Sequence, residues 1–344
     1  MNNYIFNFSA SYTGGGLKRL NAYSEWFDKK GGANFIVHDN LKGIGKKFIN
    51  NRYYYIKKNN AKRLLNDCYY LKEIMSDFNT IDLYFSYGIP IYEKIARINW
   101  FHLSNVLPLL PHYRFMSLPL KLKFHLLGNR IKKNFRNYNI ISAESRYSLN
   151  LLKEKIGHDV NGIVLNNGHE DMLMNNAGTN NKNVPYAVAV GTYKYKALKD
   201  TFRLFLNLKK KDNNLVLVIM GPEHDIPKEF YGRKDIEITG EVKRDEVIEN
   251  LRKAKYFIST SLVENSSNAT LEGLLCSGES YISDIPPHRE LLQNCTYQTL
   301  KFDNVSMPVL HVEGNEKNKI SPVSWDEIIK NMIKTTENML NKTL

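Results

Sequence analysis

Residues 259–291 read STSLVENSSNATLEGLLCSGESYISDIPPHREL. Just before this stretch, Tyr256 to Ile258 is a short apolar run of the kind a buried strand uses. Ser259 to Asn268 is polar and turn-prone, whereas Ala269 to Cys276 is competent to form a helix. A strand, a loop and a helix in that order put the loop at the carboxyl edge of a parallel sheet, where α/β domains bind ligands.

The chemistry of the loop points the same way. Ser266, Ser267 and Asn268 stand where the helix should begin and can cap it. Free backbone N–H groups and the positive end of the helix dipole make such a start a phosphate site. Glu264 precedes the turn and Glu272 falls within the first turns of the helix, so two carboxylates flank an anion site. A carboxylate accepts paired hydrogen bonds from vicinal diols, so one Glu could hold a ribose while the other faces a hexose. Each also has a plainer reading: Glu264 as a solvated loop charge, Glu272 as an exposed Glu favourable to the dipole. Glu290, further on, could neutralise a neighbouring base or bind nothing.

Outward from this stretch, short β-branched or aromatic runs alternate with helical stretches. After residue 185 the strand candidates are Tyr186 to Val190, Val216 to Met220, Ile236 to Thr239, Tyr256 to Ile258 and Tyr281 to Ser283, with helices over Lys199 to Lys211 and Arg244 to Lys253. In the first half they are Tyr4 to Phe8, Asn34 to Val37, Ile81 to Phe85, Ile98 to His102, Asn139 to Ser142 and Gly162 to Leu165. This alternation predicts βαβ units and parallel sheets. The Asn- and Gly-rich segment 166–184 breaks the rhythm and reads as a linker. The expected organisation is an N-terminal α/β domain over 1–165, the linker, a second α/β domain over 185–320, and a closing amphipathic helix over 321–344 packing back toward the first domain.

Length and composition agree. At 344 residues the chain exceeds one ordinary core and suits two domains. Three cysteines without close spacing favour neither a zinc site nor a disulfide scaffold and suit a reducing compartment. The N-terminus lacks a basic region ahead of an apolar stretch, so a cytoplasmic location is expected. Residues 1–180 hold 25 Lys and Arg against 13 Asp and Glu, whereas 181–344 hold 23 against 22. From Lys94 to Ala143 there is no acid, while Lys94, Arg97, Arg114, Lys121, Lys123, Arg130, Lys132, Lys133 and Arg136 are basic. That mixture of cations with Leu, Phe and Ile suits an anionic inner-membrane surface contacted peripherally. A solvated helix face is the plainer alternative. Nucleic-acid binding lacks a recognisable motif and is not expected.

The run ENSSNATLEGLLCSGESYISDIPPHREL, with its two Glu separated by seven residues, resembles the E-x7-E signature of the retaining GT-B glycosyltransferases of family 4. The resemblance extends through LNNGHE (165–170), YAVAVGTYKYKALKD (186–200), LVIMGP (217–222), ITGEVKRDEV (238–247) and SWDEI (324–328). It is thinner in GGGLKRL (14–20), WFHLSN (100–105) and SAESRYSLNLL (142–152).

It implies two doubly wound Rossmann-like domains facing across a cleft. The implied activity is transfer of a hexose-type sugar, with retention, from a nucleoside-diphosphate donor, UDP-linked in the first instance. The implied acceptor is a hydroxyl of a glycan or polyprenyl-diphosphate-linked glycan in O-antigen or capsule biosynthesis, with no metal or cofactor. Glu264, His102 and Lys196 are the implied catalytic residues. Gly15, Gly16, Gly191, Thr192, Lys194, Lys199, Asn265, Ser266, Ser267, Asn268, Ala269, Thr270 and Glu272 are implied to bind the donor. The chain departs from the family at two places: Asn265-Ser266-Ser267 replaces a Gly-Phe-Gly-like triplet, and Thr192 replaces an Arg, which shifts phosphate neutralisation to nearby lysines. By residue type alone, Gly14 to Gly16 also read as a flexible strand-to-helix turn, and His102 as a hydrogen-bonded core residue. A GT-B sugar-nucleotide epimerase and a non-catalytic GT-B-like binding protein are the alternatives.

Overall fold

The computed structural model describes residues 3–57, 68–110, 116–158, 160–169, 185–223 and 225–342. The chain divides into two compact units, residues 1–168 with 323–344, and residues 169–322.

Unit 1 contains β1 (Tyr4–Asn7), α1 (Gly14–Asp28), β2 (Asn34–His38), α2 (Ile44–Lys47), β3 (Arg52–Ile56), α3 (Cys68–Met75), β4 (Leu83–Tyr87), β5 (Ile98–Leu103), α4 (Leu118–Lys133), β6 (Ile140–Ala143), α5 (Arg146–Ile156) and β7 (Gly162–Val164). Its sheet runs β3-β2-β1-β4-β5-β6-β7 and is parallel throughout. Register puts Phe6 opposite both Phe35 and Phe85, so aromatic side chains stack across adjacent strands, with the Phe6 and Phe35 rings 5.3 Å apart. Tyr23 and Phe27 of α1 close over these rings. The last helix of the chain (Trp325–Lys342) adds Trp325, Ile328, Ile329 and Met332 to the same core. Its apolar residues recur at helical spacing, which makes one buried stripe.

Unit 2 contains β8 (Tyr186–Val190), α6 (Leu198–Lys209), β9 (Val216–Met220), β10 (Ile236–Gly240), α7 (Arg244–Lys253), β11 (Tyr256–Ser259), α8 (Asn268–Cys276), β12 (Glu279–Ser283), α9 (Pro286–Leu291), β13 (Gln298–Leu300) and β14 (Val309–Val312). The sheet order is β10-β9-β8-β11-β12-β14-β13, with β14 antiparallel to both neighbours. The central strands are apolar on both faces. Val188, Val218 and Met220 belong to one core, and Ala187, Ala189, Leu217 and Ile219 to the other. That is the period-2 alternation of a sheet covered by helices on both sides.

Three strands are absent from the sequence reading. β3 is an edge strand with partly exposed tyrosines, so it lacks the apolar signal of a buried one. β13 and β14 are only three and four residues long; β14 gains its pairing from β12 and β13 from β14, through contacts that local pattern does not encode. The expected linker reaches from Asn166 to residue 184, and its part beyond His169 lies outside the described residues.

Candidate functional site

In unit 2, β8, β9 and β10 end one after another at glycines with positive φ: Gly191 at 91°, Gly221 at 142° and Gly240 at 71°. A Cβ at Gly221 would come within 3.2 Å of the Gly191 Cα, so the strand ends are packed as closely as backbone allows. Thr192 is buried, and its hydroxyl is spent on the Pro222 carbonyl. The chain then turns through Lys194–Lys196 into α6 by way of Ala197, whose φ of 49° is the one left-handed non-glycine value among the described residues.

This turn is held from the neighbouring strand. Thr260 Oγ1 lies 3.1 Å from the carbonyls of both Lys196 and Ala197, and Leu262 N donates to the Tyr195 carbonyl at 2.7 Å. The consequence is a fixed place for the Lys196 side chain. Its Nζ donates to Glu264 Oε1 at 2.6 Å, with both side chains only 11% exposed. Lys194 and Lys199, which the resemblance implies bind the donor, are exposed, and Lys199 pairs with Glu229 at 3.3 Å. Of the three, Lys196 is the lysine the fold joins to Glu264.

α8 starts as its sequence suggests. Ser267 is the N-cap and its hydroxyl accepts from Thr270 N at 3.2 Å. Asn265 is buried, and Ser266, Asn268 and Ala269 are half-buried around the same start. His288 of α9, which the sequence reading passes over, lies fully buried beneath it. Its Nδ1 faces the Ser283 carbonyl at 2.8 Å, and a carbonyl only accepts, so Nδ1 carries the proton and Nε2 accepts from Thr270 at 3.1 Å. Burial pushes His288 down to about 4, which keeps it neutral. Gly273 lets α8 lie directly on β11, since a Cβ there would fall 2.3 Å from the Phe257 ring.

Glu272 is 4% exposed, not the open helix-start charge of the plainer reading. Arg244, from the first turn of α7, reaches it with two donors, Nη1 to Oε2 at 2.6 Å and Nη2 to Oε1 at 2.7 Å. Unit 2 thus gathers a capped helix start, two carboxylates and two cations at the carboxyl edge of its sheet.

In unit 1, Gly14 opens α1 with φ of 59°, and Gly15 and Gly16 lie inside the helix, so the glycine run is a helix start. A Cβ at Gly16 would meet Ser11 at 2.7 Å, so this glycine serves a close approach of the β1–α1 loop. Thr13, the N-cap, supplies no side-chain cap. His102 ends up as the core residue of the plainer reading. Its ring is fully buried and stacked on Tyr87, with Nδ1 2.8 Å from Ser142 Oγ and Nε2 3.9 Å from Glu144. Burial, with the charge of Arg19 beside it, pushes His102 down to about 4.

Arg19 and Glu144 are the residues here that sequence reading misses. Arg19 is fully buried, donates to the carbonyls of Leu165 and Asn166 and to Asn167 Oδ1, and lies 3.9 Å from Glu144. Burial alone raises a carboxyl, but His102, Arg19 and the Tyr87 hydroxyl, which donates at 2.9 Å, outweigh it and hold Glu144 below its ordinary value. Among the described residues no group of three or more His, Cys, Asp or Glu side chains could hold a metal ion.

No curated protein matches the chain in sequence. Residues 184–296 match the family described as Glycosyl transferases group 1. Among solved structures, Anabaena HepE in complex with UDP-glucose is 14% identical, with a TM-score of 0.62 over 97% of this chain and 91% of that one. HepE in complex with UDP is 12% identical, with a TM-score of 0.62 over 98% of this chain and all of the other. The E. coli trehalose-6-phosphate protein bound with UDP-2-fluoro glucose is 12% identical, with a TM-score of 0.55 over 85% and 86% of the two chains. By fold the chain is of the GT-B type, with two Rossmann-like α/β units, the second of which carries the segment that matches the group 1 glycosyl transferases.

Proposed function

We propose that this protein is a retaining glycosyltransferase of family 4 that moves a hexose-type sugar from a nucleoside-diphosphate donor to a hydroxyl of a glycan or lipid-linked glycan in surface-polysaccharide (O-antigen or capsule) biosynthesis. It works peripherally at the cytoplasmic face of the membrane. The observation that carries the reading is the pairing of Lys196 with Glu264 and of Arg244 with Glu272 around the capped start of α8. A diphosphate takes the place of Glu264 on Lys196 and receives N–H groups from the helix start. The freed Glu264 faces the sugar, and Glu272 accepts from the ribose hydroxyls. The UDP and UDP-glucose in the HepE structures support a UDP-linked donor.

The transfer needs no nucleophile from the protein. The bond from the anomeric carbon to the diphosphate breaks, the acceptor hydroxyl adds to the same face, and its proton passes to the departing diphosphate oxygen. Lys196 and the backbone N–H groups stabilise the charge that develops on the leaving group, so this route requires no metal. His102, buried and neutral, is assigned to tying the carboxyl end of β5 to β6 through Ser142, not to proton transfer.

Thermal shift with UDP-, GDP- and dTDP-sugars identifies the donor, because a bound ligand stabilises by mass action. Incubation with that donor alone should give slow hydrolysis. Complete conversion of the donor to an epimer points to the epimerase, and donor binding with no turnover on any acceptor points to a binding protein. Inversion at the anomeric carbon of the product would rule out the mechanism above.

A further inference from the structure

α4 carries an apolar ridge on its outer side. Leu118, Leu122 and Leu126 are 79%, 59% and 44% exposed, and they are three of the seven exposed large hydrophobic residues among the described residues. Four-residue spacing lines them up along one side of the helix. At about 100° per residue, Lys123 and Arg130 fall on one flank of that line and Lys121 and Lys132 on the other. The chain has no acid from Lys94 to Ala143 to offset them. Arg114 of that basic stretch lies outside the described residues.

The opposite side of α4 is committed to unit 1. Ile131 is buried, and Gly128 lies so close to Pro108 that a Cβ would come within 2.2 Å of its carbonyl oxygen. Phe124 and Leu127 wall a cavity of about 300 Å³ at the carboxyl edge of the sheet, whose floor includes Tyr12, Ser104 and Asn105.

We propose that the outer face of α4 docks on an anionic lipid bilayer, with the three leucines seated between acyl chains and the flanking lysines and arginine on the head groups. Charge selects this occupant. A second copy of the same face would oppose cation to cation, and a nucleic acid would leave the leucine ridge in water. Each cation near an anionic surface raises partitioning by about 5-fold, and salt weakens this contribution over a Debye length. Docking α4 presents the cavity on its inner side to molecules held at the lipid surface. That a lipid-linked acceptor is what the cavity meets rests on the transfer activity proposed above; the docking itself does not.

Co-sedimentation of the purified full chain with vesicles tests it, using phosphatidylcholine alone and phosphatidylcholine with about 30% phosphatidylglycerol. The anionic vesicles should bind at least about 10-fold more protein, less so at high salt. The triple variant Leu118→Ser, Leu122→Ser, Leu126→Ser should lose at least about 10-fold of that binding. Its melting temperature and its thermal shift with UDP should stay as in the wild type, since these side chains are on the surface. Lys121→Gln with Lys132→Gln should weaken anionic binding alone. Equal binding to both vesicle types, wild-type binding by the triple variant, or a wild-type dimer that the triple variant disperses would each overturn the proposal. Vesicle binding without any UDP shift would instead count against the transfer reading and leave the docking standing.

Discussion

Arg244 and Glu272 meet through two parallel hydrogen bonds of 2.6 and 2.7 Å, although they lie 28 residues apart and on different helices. The guanidinium fork fixes the plane of a carboxylate that is itself 4% exposed. A carboxylate so oriented is a ready acceptor for a pair of vicinal hydroxyls. Glu272→Ala should therefore cut turnover at least about 100-fold while the protein stays folded. Arg244→Lys, which keeps the charge and loses the fork, should weaken UDP binding and narrow the preference for UDP over 2′-deoxy-UDP. Thermal shift with the two nucleotides checks this, and an unchanged preference would remove Glu272 from the ribose.

Lys196 and Glu264 form the second pair, with 11% exposure on each side. Lys196→Ala should lower turnover at least about 100-fold, the scale of losing one charge stabiliser. In stability, Lys196→Ala and Glu264→Ala should not add: a coupling of about 1 kcal/mol or more is expected for partners in direct contact. Denaturant melts of the single and double variants measure it. Additive effects would mean that the pair is not formed in solution.

Stability should fall with acid through two histidines in different units. Burial lowers both His102 and His288 from 6.5 to about 4. The unfolded chain therefore binds protons near pH 6.5 that the folded chain refuses until about pH 4. Their contribution is complete above pH 6.5 and is lost as pH drops toward 4, by roughly 3 kcal/mol for each. Urea unfolding between pH 7 and pH 4.5 should show the decline. His102→Gln should flatten it in the unit 1 transition and His288→Gln in the unit 2 transition.

Gly273 tests how tightly α8 is seated. Alanine there puts a Cβ 2.3 Å from the Phe257 ring, so the helix must lift from β11 or the ring must turn. A loss of about 1–3 kcal/mol is expected for this overpacking. Weaker UDP binding should accompany it, because Glu272 precedes the substituted residue. Gly43→Ala, which meets nothing within 4 Å, serves as the neutral control in the same melts.

Much of the architecture is legible along the chain because it depends on local pattern. Tyr186–Val190 and Val216–Met220 are apolar at every position and bounded by turn residues, so they read as buried strands and fold as such. The cap at Ser267 is readable for the same reason, since a capping hydroxyl acts within its own first turn. β14 is not readable in this way: Val309–Val312 becomes a strand by pairing antiparallel with β12.

The candidate site divides along the same line. Residue type and spacing alone determined a strand-loop-helix with carboxylates at Glu264 and Glu272 beside a helix start. Only the tertiary structure decided which cation each carboxylate meets. Lys196 came to Glu264 because Thr260 and Leu262 hold its turn, while Lys199 was left on the surface with Glu229. Arg244 reads locally as one more charge at the start of a solvated helix. His102 likewise became a buried core residue through Ser142 and Glu144, some forty residues away. Caps and periodicity act over a few residues and so leave a local imprint, whereas ion pairing and burial depend on where distant segments are brought together.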